Sequence, residues 1–424
     1  ALGIVDLDGI GQLTSLRTLD LRSNGLRDVA ALVEVTGLQV LLLGDNAVSD
    51  LSPLTNLVEL EVTKVQRNRI RDLAPLVAND GIREGDLVDV CGNPLNSSDT
   101  DPQLDQLRAR LVVVDTTLGF VDPALESSVR ETIRRPDGAI CVEDVEPVRS
   151  LNLNFTDAER LDGIEALVNL EELHAVGNHI SDLAPLAAAV NLRALFLDRN
   201  RIVELAPLQS LPQLARLSLG RNQISTLTPL APLRSLVSLT LNDNQLSEIS
   251  TLSALTNLTS LAVDANAIED LSPLTPLANL RRLTARDNRV ADLSPLMPLT
   301  NLTGLALDGN QIVDLSPLAP LDSLLSLSLG NNLISNAAPL SGLVHLTSLS
   351  LARNQLSDVG TMAALIRLKT LLLDANLITD LAPLLANEGL GPADVLSVRE
   401  NPLGDAALSN QIPALRSRGV DVVL

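Results

Sequence analysis

The chain has 424 residues and a formal net charge of −21, and its aromatic residues are three Phe, with no Trp and no Tyr. A chain of this charge is repelled by phosphate groups, which argues against nucleic acid and anionic membrane surfaces as partners. No apolar run approaches the roughly 18 residues that a membrane-spanning helix requires, so we expect no membrane insertion.

Asparagine recurs every 22 residues from near the start of the chain. The first three positions are Asn24, Asn46 and Asn68, and the same spacing resumes in Asn178, Asn200, Asn222, Asn244, Asn266, Asn288, Asn310, Asn332, Asn354 and Asn376. The repeat reads L-x-x-L-x-L-x-x-N, as in residues 214–222. A fixed period of this kind is typical of a leucine-rich-repeat solenoid. We therefore predict a repeat solenoid of the α/β class, a right-handed arc with short parallel strands on its concave face and 3₁₀ or short helical turns on its convex face.

Asparagine suits the turn that follows each Leu-x-Leu strand. Backbone groups in that turn lose their ladder partners, and a buried group without a partner costs roughly 1–3 kcal/mol. An amide side chain offers two donors and an acceptor, so stacked asparagines can bond the turns of their own and adjacent coils. We interpret the asparagines from Asn178 to Asn376 as a structural ladder.

The sequence Asp-Leu-Ser-Pro-Leu is expected to form the side of each coil opposite the strand. It occurs at residues 270–274, 292–296 and 314–318. Serine before proline is interpreted as a helix N-cap followed by a residue preset for the first helical turn. Few residues remain before the next strand, so we expect a short 3₁₀ or single α turn.

These motifs resemble those of a known family. The 22-residue repeat, the Ser-Pro-Leu segment and the Asn-x-Ile start of many repeats are similar to internalin-type bacterial leucine-rich-repeat proteins over almost the whole chain. The resemblance implies an arc whose concave face binds another protein.

Two breaks in the period indicate two solenoids. The spacing stretches to 25 residues before Asn93 and before Asn401. A helix and a final apolar strand are predicted after each break, at 103–110 and 111–114 and again at 410–417 and 420–424. Terminal repeats must cover the exposed end of the core, so we interpret these segments as C-terminal caps. The predicted domains are residues 1–118, with an incomplete N-cap and a C-cap at about 73–115, and residues 119–424, with an N-cap at about 120–155, repeats over 156–380 and a C-cap over 381–424.

The junction is expected at residues 116–119, because an N-terminal cap follows it. Asp122 and Pro123 open an amphipathic helix whose apolar face carries Leu125, Val129 and Ile133. The first solenoid lacks such a cap, since residues 7–16 already occupy repeat positions. We therefore expect the chain to be a piece of a longer polypeptide.

The two cysteines lie in the adjoining caps. Cys91 stands two residues before Asn93, in a row that is expected to face the surface, and Cys141 lies in an apolar stretch. We prefer the interpretation that the two cysteines are unrelated thiols, with Cys141 packed as a small hydrophobic residue. A disulfide between the two caps is the alternative.

No catalytic constellation is found in the sequence. The three histidines, His174, His179 and His345, fall in separate coils or on separate faces and are interpreted as solvated. Neither a Cys-x-x-Cys pair nor a glycine-rich phosphate loop stands between a strand and a helix. We expect no enzymatic activity, no metal and no cofactor.

The period assigns side chains to the concave face, because residues two and four positions before each ladder asparagine alternate outward from the leucines. The candidate binding residues in or beside these rows are Phe196, Asp198, Asn242, Asp264, Arg286, Asp287 and Asp308. We expect Phe196 to be the exposed aromatic anchor. Asp264, Asp287 and Asp308 are expected to form an acidic stripe, with all three side chains in solvent.

The sequence favours a non-enzymatic interaction module of a secreted or cell-surface bacterial protein, with a leaning toward adhesion. It would bind a protein partner, a basic one in view of the acidic stripe, through the concave face. The alternative is a structural spacer or fibre-forming segment without a concave ligand, and self-association or further tandem domains stay open. An intracellular regulator resembling phosphatase-binding repeats is less favoured, because the caps are doubled.

Overall fold

The computed structural model describes residues 2–424, apart from the side chain of Ser97, and within them eighteen three-residue strands form two parallel sheets. The first sheet contains β1 (Thr18–Asp20), β2 (Val40–Leu42), β3 (Val62–Lys64), β4 (Leu87–Asp89) and β5 (Val113–Asp115). The second contains β6 (Ser150–Asn152), β7 (Glu172–His174), β8 (Ala194–Phe196), β9 (Arg216–Ser218), β10 (Ser238–Thr240), β11 (Ser260–Ala262), β12 (Arg282–Thr284), β13 (Gly304–Ala306), β14 (Ser326–Ser328), β15 (Ser348–Ser350), β16 (Thr370–Leu372), β17 (Val395–Ser397) and β18 (Asp421–Val423). Each strand pairs with its sequence neighbours, so this parallel repeat architecture confirms the predicted leucine-rich-repeat solenoid.

The register follows from the repeat length. Leu217 pairs with Leu239, and Leu239 pairs with Leu261, so equivalent leucines stack in one column. These side chains are at most 2% exposed. Burying a leucine contributes about 1.5–3 kcal/mol, while ordering each residue costs about 1–2 kcal/mol. A single coil cannot meet that cost alone, so stability comes from the stack.

The ladder asparagines join neighbouring coils through backbone groups. In Asn310, Nδ2 donates to the carbonyls of Ala285 (2.9 Å) and Leu307 (3.0 Å), while Oδ1 accepts the N–H of Val290 (3.0 Å). The residue before the asparagine has a positive φ in most coils, as at Asp287 (φ 51°). The chain therefore turns sharply out of each strand, and the amide occupies the space beneath the turn.

Short 3₁₀ turns lie on the side of the coils opposite the strands, as the sequence predicts. Their bounds are Ile10–Gln12, Ala30–Glu34, Ser52–Leu54, Ile164–Ala166, Ala184–Ala188, Ala206–Ser210, Thr228–Leu230, Ser250–Ala254, Ser272–Leu274, Ser294–Leu296, Ser316–Leu318, Ala338–Gly342 and Gly360–Ala364. We call this the helical-turn side.

The prediction that serine is the N-cap of these turns is wrong. The N-cap of the turn Ser272–Leu274 is Leu271, whose side chain is buried in the core and cannot cap. Asp270 caps instead, accepting the Ser272 hydroxyl (2.6 Å) and the Ser272 N–H (2.7 Å). These hydrogen bonds hold the pKa of the Asp270 carboxyl below its usual range, with the hydroxyl as the larger cause. Asp50, Asp292 and Asp314 make the same pair of bonds.

Six α-helices complete the described chain, most of them in or near the caps. They are α1 (Ala74–Val77), α2 (Ser97–Ala109), α3 (Pro123–Ile133), α4 (Val142–Val145), α5 (Ala382–Leu385) and α6 (Ile412–Ser417), and α6 is preceded by a π turn at Ala407–Gln411. Asp122 caps α3 by accepting the N–H groups of Ala124 (2.8 Å) and Leu125 (3.3 Å). The helix after β4, α2, begins before the expected residue 103, because its first turn carries polar residues that the apolar period does not mark. After β17, the π turn and α6 together span the expected helix at 410–417.

The two C-terminal caps share their polar contacts as well as their helices. Nδ2 of Asn79 donates to the carbonyls of Leu54 and Leu57, and the buried Asn387 bonds Met362 and Leu365 in the same way. In each cap an arginine from the end of the following helix reaches the carbonyl of that asparagine, namely Arg110 and Arg418. The same set of hydrogen bonds therefore stabilises the C-terminal end of both sheets.

The chain folds as two compact units. The first comprises residues 1–148 with 162–169, and the second comprises residues 149–161 with 170–424. The first unit thus includes α3 and α4, which follow the predicted junction at residues 116–119. That junction stays a prediction.

A disulfide within the first unit joins Cys91 to Cys141, with 5.7 Å between their Cα atoms. The preferred interpretation of two unrelated thiols is wrong, and so is the expectation that Cys91 faces the surface, since it is 1% exposed. The reason is that α4, which follows Cys141, packs against the turn that contains Arg67. Arg67 donates to Glu143 (2.9 Å) and also to Asp144. A salt-bridge network therefore flanks the disulfide.

Candidate functional site: the strand face of the second array

The strands β6 to β18 and their turns form the second array. Its outward strand surface, which we call the strand face, carries the sequence-predicted site residues. Three outward positions recur in each coil, at six, four and two residues before the ladder asparagine. The first two lie in the strand, and the third lies at its end, where the chain begins to turn. Phe196 occupies the second row and Asp198 the third.

The acidic and amide residues of the third row form a second hydrogen-bonded ladder. Oδ1 of Asp264 accepts the backbone N–H of Arg286 in the next coil (2.7 Å), and Oδ2 accepts the Thr284 hydroxyl (2.9 Å). The equivalent backbone contact is made by Asn154, Asp198, Asn242, Asp308 and Asp374. These side chains therefore bridge coils just beyond the end of the sheet, where strand pairing has stopped.

Whether aspartate or asparagine occupies this row depends on whether the next coil offers a hydroxyl group to it. Asp198, Asp264, Asp308 and Asp374 each also accept a hydroxyl, from Ser218, Thr284, Ser328 and Ser397 respectively. Asn154 and Asn242 are followed at that position by His174 and Ala262, which have no hydroxyl. Sequence reasoning missed this relationship, although the signal was present as a pairing of Asp with Ser or Thr in the next strand.

The expectation that the whole acidic stripe lies in solvent is wrong for Asp264 and Asp308. Both are partly buried, and Asp308 also forms a salt bridge with Nε of Arg286 (3.1 Å). Asp287 is exposed, but it lies in the turn and its carboxylate lies over Gly309. The three carboxylates therefore do not form one uniform stripe, because two of them bond the neighbouring coil.

A ring-bearing cluster lies across β7, β8 and β9. His174 and Phe196 stack with their ring centroids 4.7 Å apart and an interplanar angle of 17°. The guanidinium of Arg216 lies over the Phe196 ring at 5.8 Å, and Glu172 contacts both Arg216 (3.2 Å) and His174 (3.4 Å). Phe196 is only partly exposed, less than expected for an exposed anchor, whereas Phe155 outside the cluster is 67% exposed. The side chain of Arg216 is 58% exposed. We call these four residues the Phe196 cluster.

Sequence reasoning identified Phe196 and missed its partners. His174 was interpreted as solvated, and Arg216 was not considered. The register places His174 opposite Phe196, and Ala194 opposite Arg216, so side chains 20 or 22 residues apart meet on one surface. That spacing is the signal that could have found the cluster.

Metal sites, membrane-spanning helices and buried acids are the other features that bear on function. Within residues 2–424, no group of three or more His, Cys, Asp or Glu side chains could hold a metal ion. No helix in the described part of the chain is long and apolar enough to cross a membrane. In the first sheet, burial raises the pKa of the Asp89 carboxyl to about 6, and Asp115 on the adjacent strand adds to the effect.

Comparisons with known proteins agree with this architecture. The family model described as leucine rich repeat matches residues 190–246, and one described as leucine rich repeats (2 copies) matches residues 234–276. An internalin (inlF) from Listeria monocytogenes is 32% identical, with a TM-score of 0.68, and the match covers 72% of this chain and 91% of that chain. This chain belongs to the internalin-type leucine-rich-repeat proteins. A comparison with curated proteins gives no match.

More distant structures share the fold with this internalin-type protein. A leucine-rich-repeat protein from Leptospira interrogans is 19% identical, with a TM-score of 0.55 and a match over 99% of both chains. The leucine-rich-repeat ectodomain of the plant receptor kinase GASSHO1/SCHENGEN3 from Arabidopsis thaliana is also 19% identical, with a TM-score of 0.54, over 99% of this chain and 48% of that chain. At these identities the likeness shows the fold alone. The internalin-type fold is typical of protein–protein interaction modules.

Proposed function

We propose that this internalin-type protein is a non-enzymatic interaction module of a secreted or cell-surface bacterial protein, and that the strand face of its second array binds a protein partner. The Phe196 cluster carries the proposal. Hot spots of protein interfaces are enriched in aromatic residues and arginine. In a chain with three Phe and no Trp or Tyr, a stacked pair of rings beneath an exposed arginine is the feature best suited to anchor a partner.

The charge pattern supports a partner of mixed charge rather than a purely basic one. Carboxylates of the third row lie at one edge of the strand face, and Arg216 and Arg282 lie in the first row, toward the start of the strands. Basic groups of a partner would approach the carboxylate edge, and acidic groups would approach the arginines. Complementary charges of this kind mainly raise the association rate and weaken with added salt.

The buried disulfide supports a secreted or cell-surface location. Disulfides form and persist in oxidising compartments and are rare in the reducing cytosol. The bond between Cys91 and Cys141 is consistent with folding outside the cytosol.

The test uses the full chain, immobilised and exposed to extracellular and membrane extracts. We expect a protein retained by the parent to be retained at least about tenfold less by the double variant Phe196→Ser, Arg216→Ser, because hot-spot truncation costs about 2 kcal/mol or more. Met297→Ser is the matched control, since Met297 is 46% exposed on the helical-turn side.

Thermal melts of both variants should match the parent, because the truncated side chains are exposed or partly exposed. Equal retention by the parent and the double variant would refute binding through the Phe196 cluster. A structural spacer would then be the better description.

A further inference from the structure

A second feature of the strand face lies on β12 to β14, three strands beyond the Phe196 cluster. A depression of about 350 Å³ opens there between the side chains of β12 and β14. Its floor is Gly304 and Ala306, which occupy the two outward positions of β13. Strands are spaced by about 4.8 Å, so the lack of a side chain at Gly304 and the single methyl group of Ala306 leave a gap of roughly 10 Å between the flanking rows.

Gly304 has no structural reason to be glycine. Its φ lies outside the left-handed region, and a Cβ at this position would meet only Cγ of Arg282, at an ordinary distance of 3.8 Å. Glycine within a strand weakens it by up to roughly 1 kcal/mol, and it often marks a close approach of a ligand or another backbone. The other nine residues of this row all carry side chains: Glu172, Ala194, Arg216, Ser238, Ser260, Arg282, Ser326, Ser348 and Thr370.

The walls of the depression present hydrogen-bond donors and positive charge. Arg282 is exposed and has no ion-pair partner within residues 2–424, although the protein carries a net charge of −21. The Ser326 hydroxyl lies on the opposite wall, in register with Gly304. Arg286 also lines the depression, and its Nε is bonded to Asp308.

We propose that this depression, which we call the Gly304 cleft, receives an acidic side chain of the protein partner, with Arg282 as its main contact. A planar guanidinium binds a carboxylate through two parallel hydrogen bonds, which gives direction as well as attraction. The absence of a side chain at Gly304 lets the partner's backbone approach closely enough for a short acidic side chain to reach Arg282. This inference rests on the proposed function and names one chemical feature of the partner.

The test is a selection from a phage-displayed library of random peptides on the immobilised full chain, followed by counter-selection on the variant Gly304→Thr. Threonine occupies the same row at Thr370 and favours strands, so the variant should melt at or above the temperature of the parent. Gly342→Thr is the matched control, because a Cβ at Gly342 meets nothing within 4 Å and the residue lies on the helical-turn side. Peptides that depend on Gly304 should be enriched in Asp and Glu.

The affinities of synthetic copies of those peptides are then measured for the variants Arg282→Gln and Arg234→Gln. Arg234 is an exposed arginine away from the cleft and serves as the control. We expect binding about tenfold weaker with Arg282→Gln and unchanged with Arg234→Gln, because a charged hydrogen-bond pair is lost only in the first case. Gly304-dependent peptides without acidic residues, or peptides that bind Arg282→Gln as well as the parent, would overturn the inference.

A library in which no retained peptide depends on Gly304 would also overturn it. Peptides that depend on Phe196 alone would overturn the Gly304 cleft while leaving the proposed function standing. Acidic Gly304-dependent peptides that bind the double variant Phe196→Ser, Arg216→Ser as tightly as the parent would support the Gly304 cleft and would count against the Phe196 cluster as the anchor.

Discussion

Replacing Asn266 by Ala removes one rung of the asparagine ladder in the middle of the second array. Its Oδ1 accepts the N–H of Leu246 (3.0 Å), and its Nδ2 donates to the carbonyls of Leu241 (3.1 Å), Val263 (3.0 Å) and Asp264 (3.1 Å). The Leu241 and Val263 carbonyls each also accept a hydrogen bond from another ladder asparagine, and the Asp264 carbonyl accepts the N–H of Asp243. The substitution therefore leaves one group with no partner, the Leu246 N–H.

The expected loss follows from that count. Leu246 is fully buried, so its N–H without an acceptor costs about 1–3 kcal/mol. The two N–H donors of the amide are shared among three carbonyls, each of which keeps another donor. At about 0.5 kcal/mol for each lost N–H donor, the lower end of a net hydrogen bond, their loss adds about 1 kcal/mol. We expect the free energy of unfolding to fall by about 2–4 kcal/mol.

Unfolding in urea is best followed by far-UV circular dichroism, because the chain contains no Trp or Tyr as a fluorescent reporter. Asp264→Ala is the control within the same coil. It releases the Arg286 N–H and the Thr284 hydroxyl, and Arg286 is exposed, so water replaces part of what is lost. We expect a loss of about 1 kcal/mol or less for the control. Equal urea midpoints for the two variants would refute the assignment of a buried structural role to the ladder.

Two further predictions concern the first unit. Cys91→Ser should lower its free energy of unfolding by about 4 kcal/mol, because the disulfide closes a separation of 50 residues and constrains the unfolded chain; unchanged midpoints in the variant and in the reduced parent would contradict this. Burial raises the pKa of Asp89 from 3.8 to about 6, so the stability that this carboxyl contributes is fully present below about pH 4 and is lost as the pH rises through 6. Asp89→Asn should therefore flatten the pH dependence of the urea midpoint between pH 4 and 7, and an identical slope in both proteins would show that Asp89 is not responsible.

The repeat period was enough to predict the strands, their parallel pairing and the column of core leucines. A residue and its equivalent 22 positions later meet in adjacent strands, as Leu217 and Leu239 do, so one-dimensional spacing contains the three-dimensional register. The period also separated inward from outward positions, which brought Phe196 to the candidate site.

The same 22-residue period also predicts contacts between outward side chains and the adjacent coil. The third-row aspartates bond backbone groups 22 residues away, and the Phe196 cluster joins residues of three successive coils. These contacts were missed because outward side chains were treated as solvated. At the end of a short strand the next coil still presents unpaired N–H groups, and an acceptor of the right length bonds to them.

The sequence by itself determined the repeat, the asparagine ladder and the column of core leucines, because these depend on local spacing. Only the tertiary structure decided the disulfide, the salt bridges between Arg67 and α4, and the Gly304 cleft. The first two join aperiodic segments, and no spacing rule says where an aperiodic segment packs. The cleft depends on a strand whose outward positions carry no more than a methyl group between two strands with larger side chains, so its volume exists only once the three strands lie side by side.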